Sequence, residues 1–536
     1  MSTIISQTKS SVVTRRTFLK LSGTSVAIGA LGSLAAACAA PPTVAPSATT
    51  APASSAASTT APITAPDASV PTLDLLYYIV GNIQKETDLV AQELSKKAKE
   101  RINASVTIKT YEWAEYPQKM QLINAAGEKY DLSYVASWLN PSYYVNATNG
   151  ALLALDDLLP EHAPKLWASL KPQIWNAARI NGKIYSAINE QIFVFPFGAV
   201  MRKDLVDKYK IDVDKIKRWA DLEPFAAEIK KSEPGITPFY SEQGLYPGGT
   251  VQSDFNDYEA PGGVYVKWDD KDLKGQNADF IPPGAKEAVQ LATQWRDAKY
   301  WTTDDLPLAE ARAGFKAGKY GMLINDVTKP SNATEKKAML GYELVQKTIQ
   351  PSLMTTGGVT ATMTGISKTT ADAKRSMMLI ELLCTDVEIY NLISKGIEGK
   401  HWEWKDKAQK IIGFPKGVDA KTSGYNPQTD WMFGNQFLAY YTDPAQVGDW
   451  DRTRELNNTS RISEMLGFVF IPDAVKSEVA AVGAAGAEIV GRINKGESTD
   501  LDGDYAKVAQ AKLDAGYEKI RTELQKQLDA FKVGKK

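Results

Sequence analysis

One stretch constrains the fold more than any other. Between residues 73 and 136, five segments alternate in hydrophobic period. Residues 73–80 (LDLLYYIV) form a continuous apolar run of strand length. Residues 105–110 alternate as a second strand, and residues 131–136 read as a third. Between them, residues 85–101 and 115–127 carry helical spacing. The order β-α-β-α-β opens an α/β sandwich with a largely parallel sheet. Such sheets bind ligands beyond the C-terminal ends of their strands. The loops there are Gly81-Asn82, Tyr111-Glu112-Trp113 and Ser137-Trp138, which makes Trp113, Tyr116 and Trp138 candidate site residues.

The first 37 residues read as an address rather than as part of the fold. Thr14-Arg15-Arg16-Thr17-Phe18-Leu19-Lys20 is a twin-arginine element, and a weakly apolar run leads to Leu34-Ala35-Ala36-Ala37-Cys38. Lys9, Arg15, Arg16 and Lys20 face no acid, which keeps that end on the cytoplasmic side of the membrane. Residues 1–37 are therefore expected to be an export signal ending at a lipid-modified Cys38. Cleavage after Ala35-Ala36-Ala37 without lipid is the alternative. Residues 38–71, rich in Ala, Pro, Ser and Thr, are expected to be a disordered tether.

The remaining chain is long enough for two lobes. Over the whole sequence 62 Lys and Arg balance 63 Asp and Glu, so no basic footprint for nucleic acid exists. Its 12 Trp and 23 Tyr include what a sugar cleft needs, because apolar sugar faces stack on rings. Cys384 lies in an apolar helical stretch and reads as a core thiol. Leu513, Tyr517, Ile520, Leu524, Leu528 and Phe531 line one face of a long terminal helix, expected to pack on the body.

Catalytic chemistry is hard to find. His162 and His401 are too far apart to suggest a local metal motif, and no Gly-x-Ser-x-Gly elbow occurs. The phosphate-loop likeness at Gly314–Tyr320 has the wrong spacing, and Tyr320 replaces the magnesium-holding hydroxyl. Asp500, Asp502 and Asp504 begin like a calcium loop, but Ala511 occupies the bidentate acid position. No cofactor and no metal are expected.

Several segments together resemble one family, the extracellular solute-binding proteins that feed ABC importers. Tyr130-Asp131-Leu132-Ser133-Tyr134 looks like its third strand, and Asn149–Leu159 like its turn and helix. Asn181-Gly182-Lys183-Ile184-Tyr185-Ser186 looks like the approach to the first interlobe crossing. Phe315–Met322 looks like the return to the first lobe. Gly396-Ile397-Glu398-Gly399-Lys400-His401-Trp402 and the region from Gly467 onward resemble a subgroup with a distinctive C-terminal extension.

The resemblance implies an α/β, two-lobe periplasmic-binding-protein-like fold with a hinge and an interlobe cleft. It implies crossings near 187–194, 322–326 and 364–368. Lobe one is then 72–190 with 325–365, and lobe two is 191–324 with 366–466. Residues 467–536 form the extension, ending in an amphipathic helix. By the same analogy Trp138 stacks on a ligand, and Glu190 at the first crossing accepts sugar hydroxyl protons. Asp326 ends a strand at the second crossing, as a ligand or a helix cap. Trp402 falls in the subgroup stretch and is a candidate ligand-binding ring. Trp431 and Asn435, after a Pro-Gln-Thr-Asp turn, line the second-lobe wall or belong to the core.

The resemblance thus implies a lipid-anchored, monomeric binding protein outside the cytoplasmic membrane. It would pass a carbohydrate, expected to be an oligosaccharide, to ABC permease subunits. It would not be an enzyme. A peptide or other polar solute on the same fold is the main alternative, and an exported carbohydrate-active enzyme the lesser one.

Overall fold

The structure, a computed structural model, describes residues 71–241, 258–260, 262–267, 269–301, 308–350 and 353–535. The export signal, Cys38 and all of the tether before residue 71 lie outside the described residues.

The opening motif forms as its period dictates. Strands β1 (Leu73–Val80), β2 (Ala104–Tyr111) and β3 (Leu132–Val135) alternate with helices α1 (Thr87–Ile102) and α2 (Tyr116–Ala126). β1 pairs in parallel with both β2 and β3. Parallel strands covered on both faces need continuous apolar sequence, and Tyr77 to Val80 are all buried. A short strand, β4 (Ser186–Ile188), lies at the other edge of this sheet.

The second lobe is a separate sheet. Its strands are β5 (Phe197–Arg202), β6 (Thr237–Tyr240), β7 (Tyr320–Val327) and β8 (Leu344–Thr348), in the order β8-β5-β7-β6. β7 runs antiparallel to β5 and parallel to β6. A bulge between Ile324 and Asp326 puts Asn325 at φ 59° and lets the strand continue to Val327. Helix α3 (Asn332–Leu340) packs on β8.

The crossings differ in part from expectation. The first runs through residues 189–196, between β4 and β5, against an expected 187–194 whose first two residues belong to β4. The expected second crossing at 322–326 is instead the middle of β7, with Met322 opposite Met201 and Asp326 opposite Gly198. The chain leaves the second sheet after β8. It passes through β9 (Leu353–Met354) and the short helix α4 (Thr356–Val359) before entering the first sheet as β10 (Met363–Ile366). β10 pairs antiparallel with β3 and with β4, so residues 364–368 cross nothing.

Helices α5 (Ala373–Thr385) and α6 (Val387–Lys395) then pack on the first lobe. Met377, Leu379, Ile380, Leu383, Ile389 and Ile393 share one core with Leu75, Tyr77 and Leu132. Buried Glu381 accepts from the backbone N–H groups of Lys165 and Leu166, at 3.0 and 2.9 Å. Residues 325–350 therefore belong to the second lobe. Residues 363–395, with Tyr425, Met432, Phe433 and Ala439, belong to the first, because apolar packing places them there.

Helix α7 (Asp449–Thr459) and strand β11 (Arg461–Ile462) precede the C-terminal module, and β11 pairs in parallel with β9. The module has its own core. Met465, Phe468, Phe470, Tyr517, Ile520, Leu524 and Leu528 close over Val264, Val266 and Leu273 of the second lobe. The terminal stripe is shorter than expected. Gly516 at φ 103° separates α8 (Tyr517–Lys535) from the preceding helix, which leaves Leu513 exposed. Among the described residues no helix is long and apolar enough to cross a membrane.

Candidate functional site

The loops beyond β1, β2 and β3 converge on a cluster of rings. Trp113 leaves the end of β2, Trp138 leaves the end of β3, and Trp431 arrives from a 3-10 turn (Asp430–Met432). The Trp113 centroid lies 6.0 Å from that of Trp138 and 6.0 Å from that of Trp431. Tyr134, buried on β3, touches Trp138 at 6.4 Å and Trp431 at 6.1 Å from below. Trp138 is 53% exposed, although its indole N–H is fixed on the Ala361 carbonyl at 2.7 Å. A large ring held in place yet open to solvent is shaped for a partner with an apolar face. Ser137 donates beside it to the Gly357 carbonyl of α4 at 3.1 Å.

The first crossing brings a carboxyl to the same region of the first lobe. Backbone bonds join Glu190 N–H to the Gly434 carbonyl at 2.7 Å and Gln436 N–H to the Glu190 carbonyl at 2.8 Å. The Asn435 amide donates to Glu190 Oε2 at 2.8 Å. Asn189, one residue earlier, donates to the Met432 carbonyl at 2.6 Å, directly behind Trp431. The ring cluster and the hinge carboxyl therefore share one supporting segment, residues 431–436.

Burial pushes the Glu190 carboxyl above the ordinary range, and the Arg454 charge only partly offsets it. A carboxyl accepts when ionised and also donates when protonated, and both suit a hydroxyl-bearing solute. The raised value also sets a pH dependence. The folded chain holds a proton that the unfolded chain releases, so this stability is full below about pH 4 and is lost as pH rises through the folded value. Glu190→Gln should thus melt with wild type near pH 4 and above it near pH 8. Melting curves that stay parallel across that range would refute this.

Residues 85–380 match the bacterial extracellular solute-binding proteins. The chain belongs to that family. Residues 464–533 match a domain of unknown function, DUF3502, which corresponds to the C-terminal module. A carbohydrate ABC transporter substrate-binding protein of Streptococcus pneumoniae serotype 4 is 27% identical over 482 residues, 86% of this chain and 91% of that one. The crystal structure of an N-glycan transport solute binding protein (NgtS) from S. pneumoniae is 22% identical. It superposes with a TM-score of 0.72 over 87% of this chain and all of that one. The same protein in complex with Man1GlcNAc gives 0.66 over 86% of this chain and 99% of that one, again at 22% identity. The two-lobe fold expected from the sequence is borne out, as is a binding protein rather than an enzyme.

Three expected residues of this solute-binding protein stand apart from the ring cluster's open face. Tyr116 is buried beneath it, and its hydroxyl donates to the Tyr134 carbonyl at 2.8 Å; desolvation holds its phenol well above the usual range. Trp402 is buried with its N–H on the Gly396 carbonyl at 2.9 Å, packed edge-on against Trp404. Its neighbour His401 meets Glu86 at 2.7 Å, so the subgroup stretch clasps the start of α1. Asp326 has both oxygens engaged, one by Asn332 at 2.7 Å and one by Lys336 at 3.3 Å, and anchors α3. Side chains already satisfied and buried have nothing to offer a solute.

Sequence reasoning passed over Phe195. This residue of the first crossing is 38% exposed and lies beside Gly358 of α4. No local signal marks it: Phe193, Phe195 and Phe197 share one face by alternation, yet Phe193 is buried and Phe195 open. Among the described residues no group of three metal-ligating side chains is found. A groove of about 750 Å³ opens elsewhere, between Tyr144 and Arg179 of the first lobe and Phe468 and Phe531 of the C-terminal module. It shares no residue with the ring cluster, and the rings are the better candidate because they combine exposed aromatic surface with the hinge carboxyl.

Proposed function

We propose that this protein captures an oligosaccharide outside the cytoplasmic membrane and delivers it to the permease subunits of an ABC importer. The observation that carries the reading is the exposed, hydrogen-bonded Trp138 set against Trp113 and Trp431, at the strand ends where open α/β sheets hold ligands. Trp138, Trp113 and Trp431 stack on sugar faces, while Glu190 and Asn435 hydrogen-bond hydroxyls. Tyr116, Asp326 and Trp402 support the scaffold. The pneumococcal relatives, one named for carbohydrate ABC transport and one for N-glycan transport, support the solute class. The protein acts as a monomer, tethered through lipid on Cys38.

The test is calorimetry against a panel of neutral oligosaccharides that includes Man1GlcNAc and Man5GlcNAc. At least one should bind wild type. Trp138→Ala should weaken it by about 1–3 kcal/mol, the scale for burying a large apolar side chain, or roughly 5- to 150-fold. A folded Trp138→Ala variant with unchanged affinity would remove this residue from the site, and no binding across the panel would remove the solute class. The anchor has its own test. Mass spectrometry of the native N-terminal peptide should find Cys38 first and lipidated, and an unmodified start at any other residue would end that proposal.

A further inference from the structure

The polar groups where α3 meets α7 belong to neither the ring cluster nor the hinge carboxyl, and they join the two lobes. Resting on the solute-binding reading, we propose that they form a built-in latch: Ser331 of the second lobe is held by Asp449 of the first, so the protein itself supplies part of the free energy of closure.

Each side of the contact is anchored to its own lobe. On the second lobe, the Gln346 amide of β8 donates to the carbonyls of Thr328 and Lys329 at 3.1 and 2.9 Å, and its oxygen accepts from Ala333 N–H at 2.7 Å. Asn332 is tied to Asp326 at 2.7 Å, and Lys336 meets the other Asp326 oxygen at 3.3 Å. The 329–332 turn is thus fixed to the second sheet. On the first lobe, Trp450 beside Asp449 donates to the Ala439 carbonyl at 2.8 Å. Further along α7, Asn457 accepts from Phe193 N–H at 2.8 Å and donates to the Gln191 carbonyl at 2.7 Å. The head of α7 and the first crossing therefore move together.

The bond between the two anchors runs from the Ser331 hydroxyl to Asp449 Oδ2, and Arg452 holds the other Asp449 oxygen. Asp449 is buried, so its charge has few other partners. Ser331 adopts φ +71°, a left-handed conformation that a residue other than glycine holds only when its surroundings impose it. Lys329 pairs with Glu335 at 2.8 Å and also feels Asp430 and Asp449; burial alone would lower its ammonium, yet these acids hold it above the ordinary lysine range. Asp430, which Lys395 meets at 3.3 Å, directly precedes Trp431 of the ring cluster. Burial pushes Asp430 up, but Lys395 and Lys329 outweigh it and keep the carboxyl ionised. A second-lobe cation and a first-lobe anion thus attract beside the ring that is to carry solute.

Apparent affinity scales with the fraction of molecules already closed. A latch raises that fraction, and losing it lowers affinity without touching a residue that contacts solute. The test uses the mature full-length chain with Ser331→Ala, Asp449→Asn and the pair. Small-angle scattering without solute should give a larger radius of gyration for the variants than for wild type. Calorimetry with Man5GlcNAc should give affinities roughly tenfold weaker or more, the worth of a hydrogen bond to a charged group. The double variant should add little to either single one. Ser331→Gly, which loses the hydroxyl but suits the left-handed backbone, serves if Ser331→Ala does not fold. Identical solute-free radii for wild type and folded variants would overturn the latch. The scattering arm involves no solute, so its result stands whether or not an oligosaccharide binds.

Discussion

Replacing Trp113 with alanine should weaken oligosaccharide binding by about 3 kcal/mol, roughly 150-fold, the top of the range for one large ring. Of the three tryptophans in the cluster, Trp113 lies against both of the others, at 6.0 Å from each. Its loss removes a stacking face and the lateral support of two more. Trp138 keeps its bond to the Ala361 carbonyl, so the site loosens rather than collapses. Trp113→Phe should recover most of the affinity, because a ring still fills the gap. Calorimetry with melting curves alongside separates binding from folding. A folded Trp113→Ala protein that binds as wild type does would show that the rings are packing alone.

Gly434→Ala should be the most destabilising single substitution near the site, at about 3–4 kcal/mol, because it overpacks against rigid backbone and adds conformational strain. A Cβ there would stand 2.2 Å from the Leu383 carbonyl oxygen and 2.4 Å from its carbon. Those atoms belong to the backbone of α5 and cannot turn aside as a side chain could. The residue also holds φ +31°, which is unfavourable for any L side chain. The shift would carry Asn435 away from Glu190 and Met432 away from Asn189. Denaturant midpoints give the measurement, with Gly491→Ala as the control. Gly491 sits within a helix with nothing near its missing Cβ, so alanine there should stabilise by about 0.5–1 kcal/mol. Equal midpoints for Gly434→Ala and wild type would mean that α5 yields at that point.

The sequence makes plain what local periodicity can encode. Continuous apolar runs and helical spacing mark β1 to β3 with their helices, and the strand-end rule then points to Trp113 and Trp138. What escapes it is pairing at a distance. Glu190 and Asn435 are each candidates by themselves, but nothing local joins two residues 245 positions apart. Trp431 reads either as a second-lobe wall residue or as core, and packing sets it, half-buried, against the first-lobe core. Asn325-Asp326 reads as a strand end because turn-forming residues usually mark one; the bulge absorbs Asn325, and the strand goes on. That one misreading moves the second crossing and with it the lobe boundary. Trp402 shows another limit, since a motif locates a ring without saying whether it faces water.

The third core has a kinetic side. Val264 and Val266 find their apolar cover in the C-terminal module, much of it from α8, where Gln525 accepts from Gly275 N–H across 250 residues. A chain emerging at about 5–20 residues per second makes that stretch on the order of ten to fifty seconds before the helix that shelters it. Until then that face of the second lobe is at best partly covered, available to chaperones or to another unfinished copy. The last helix is accordingly the step that ends the chain's exposure to aggregation, and a ribosome stalled shortly before Tyr517 would release a protein with both sheets encoded but one flank permanently open.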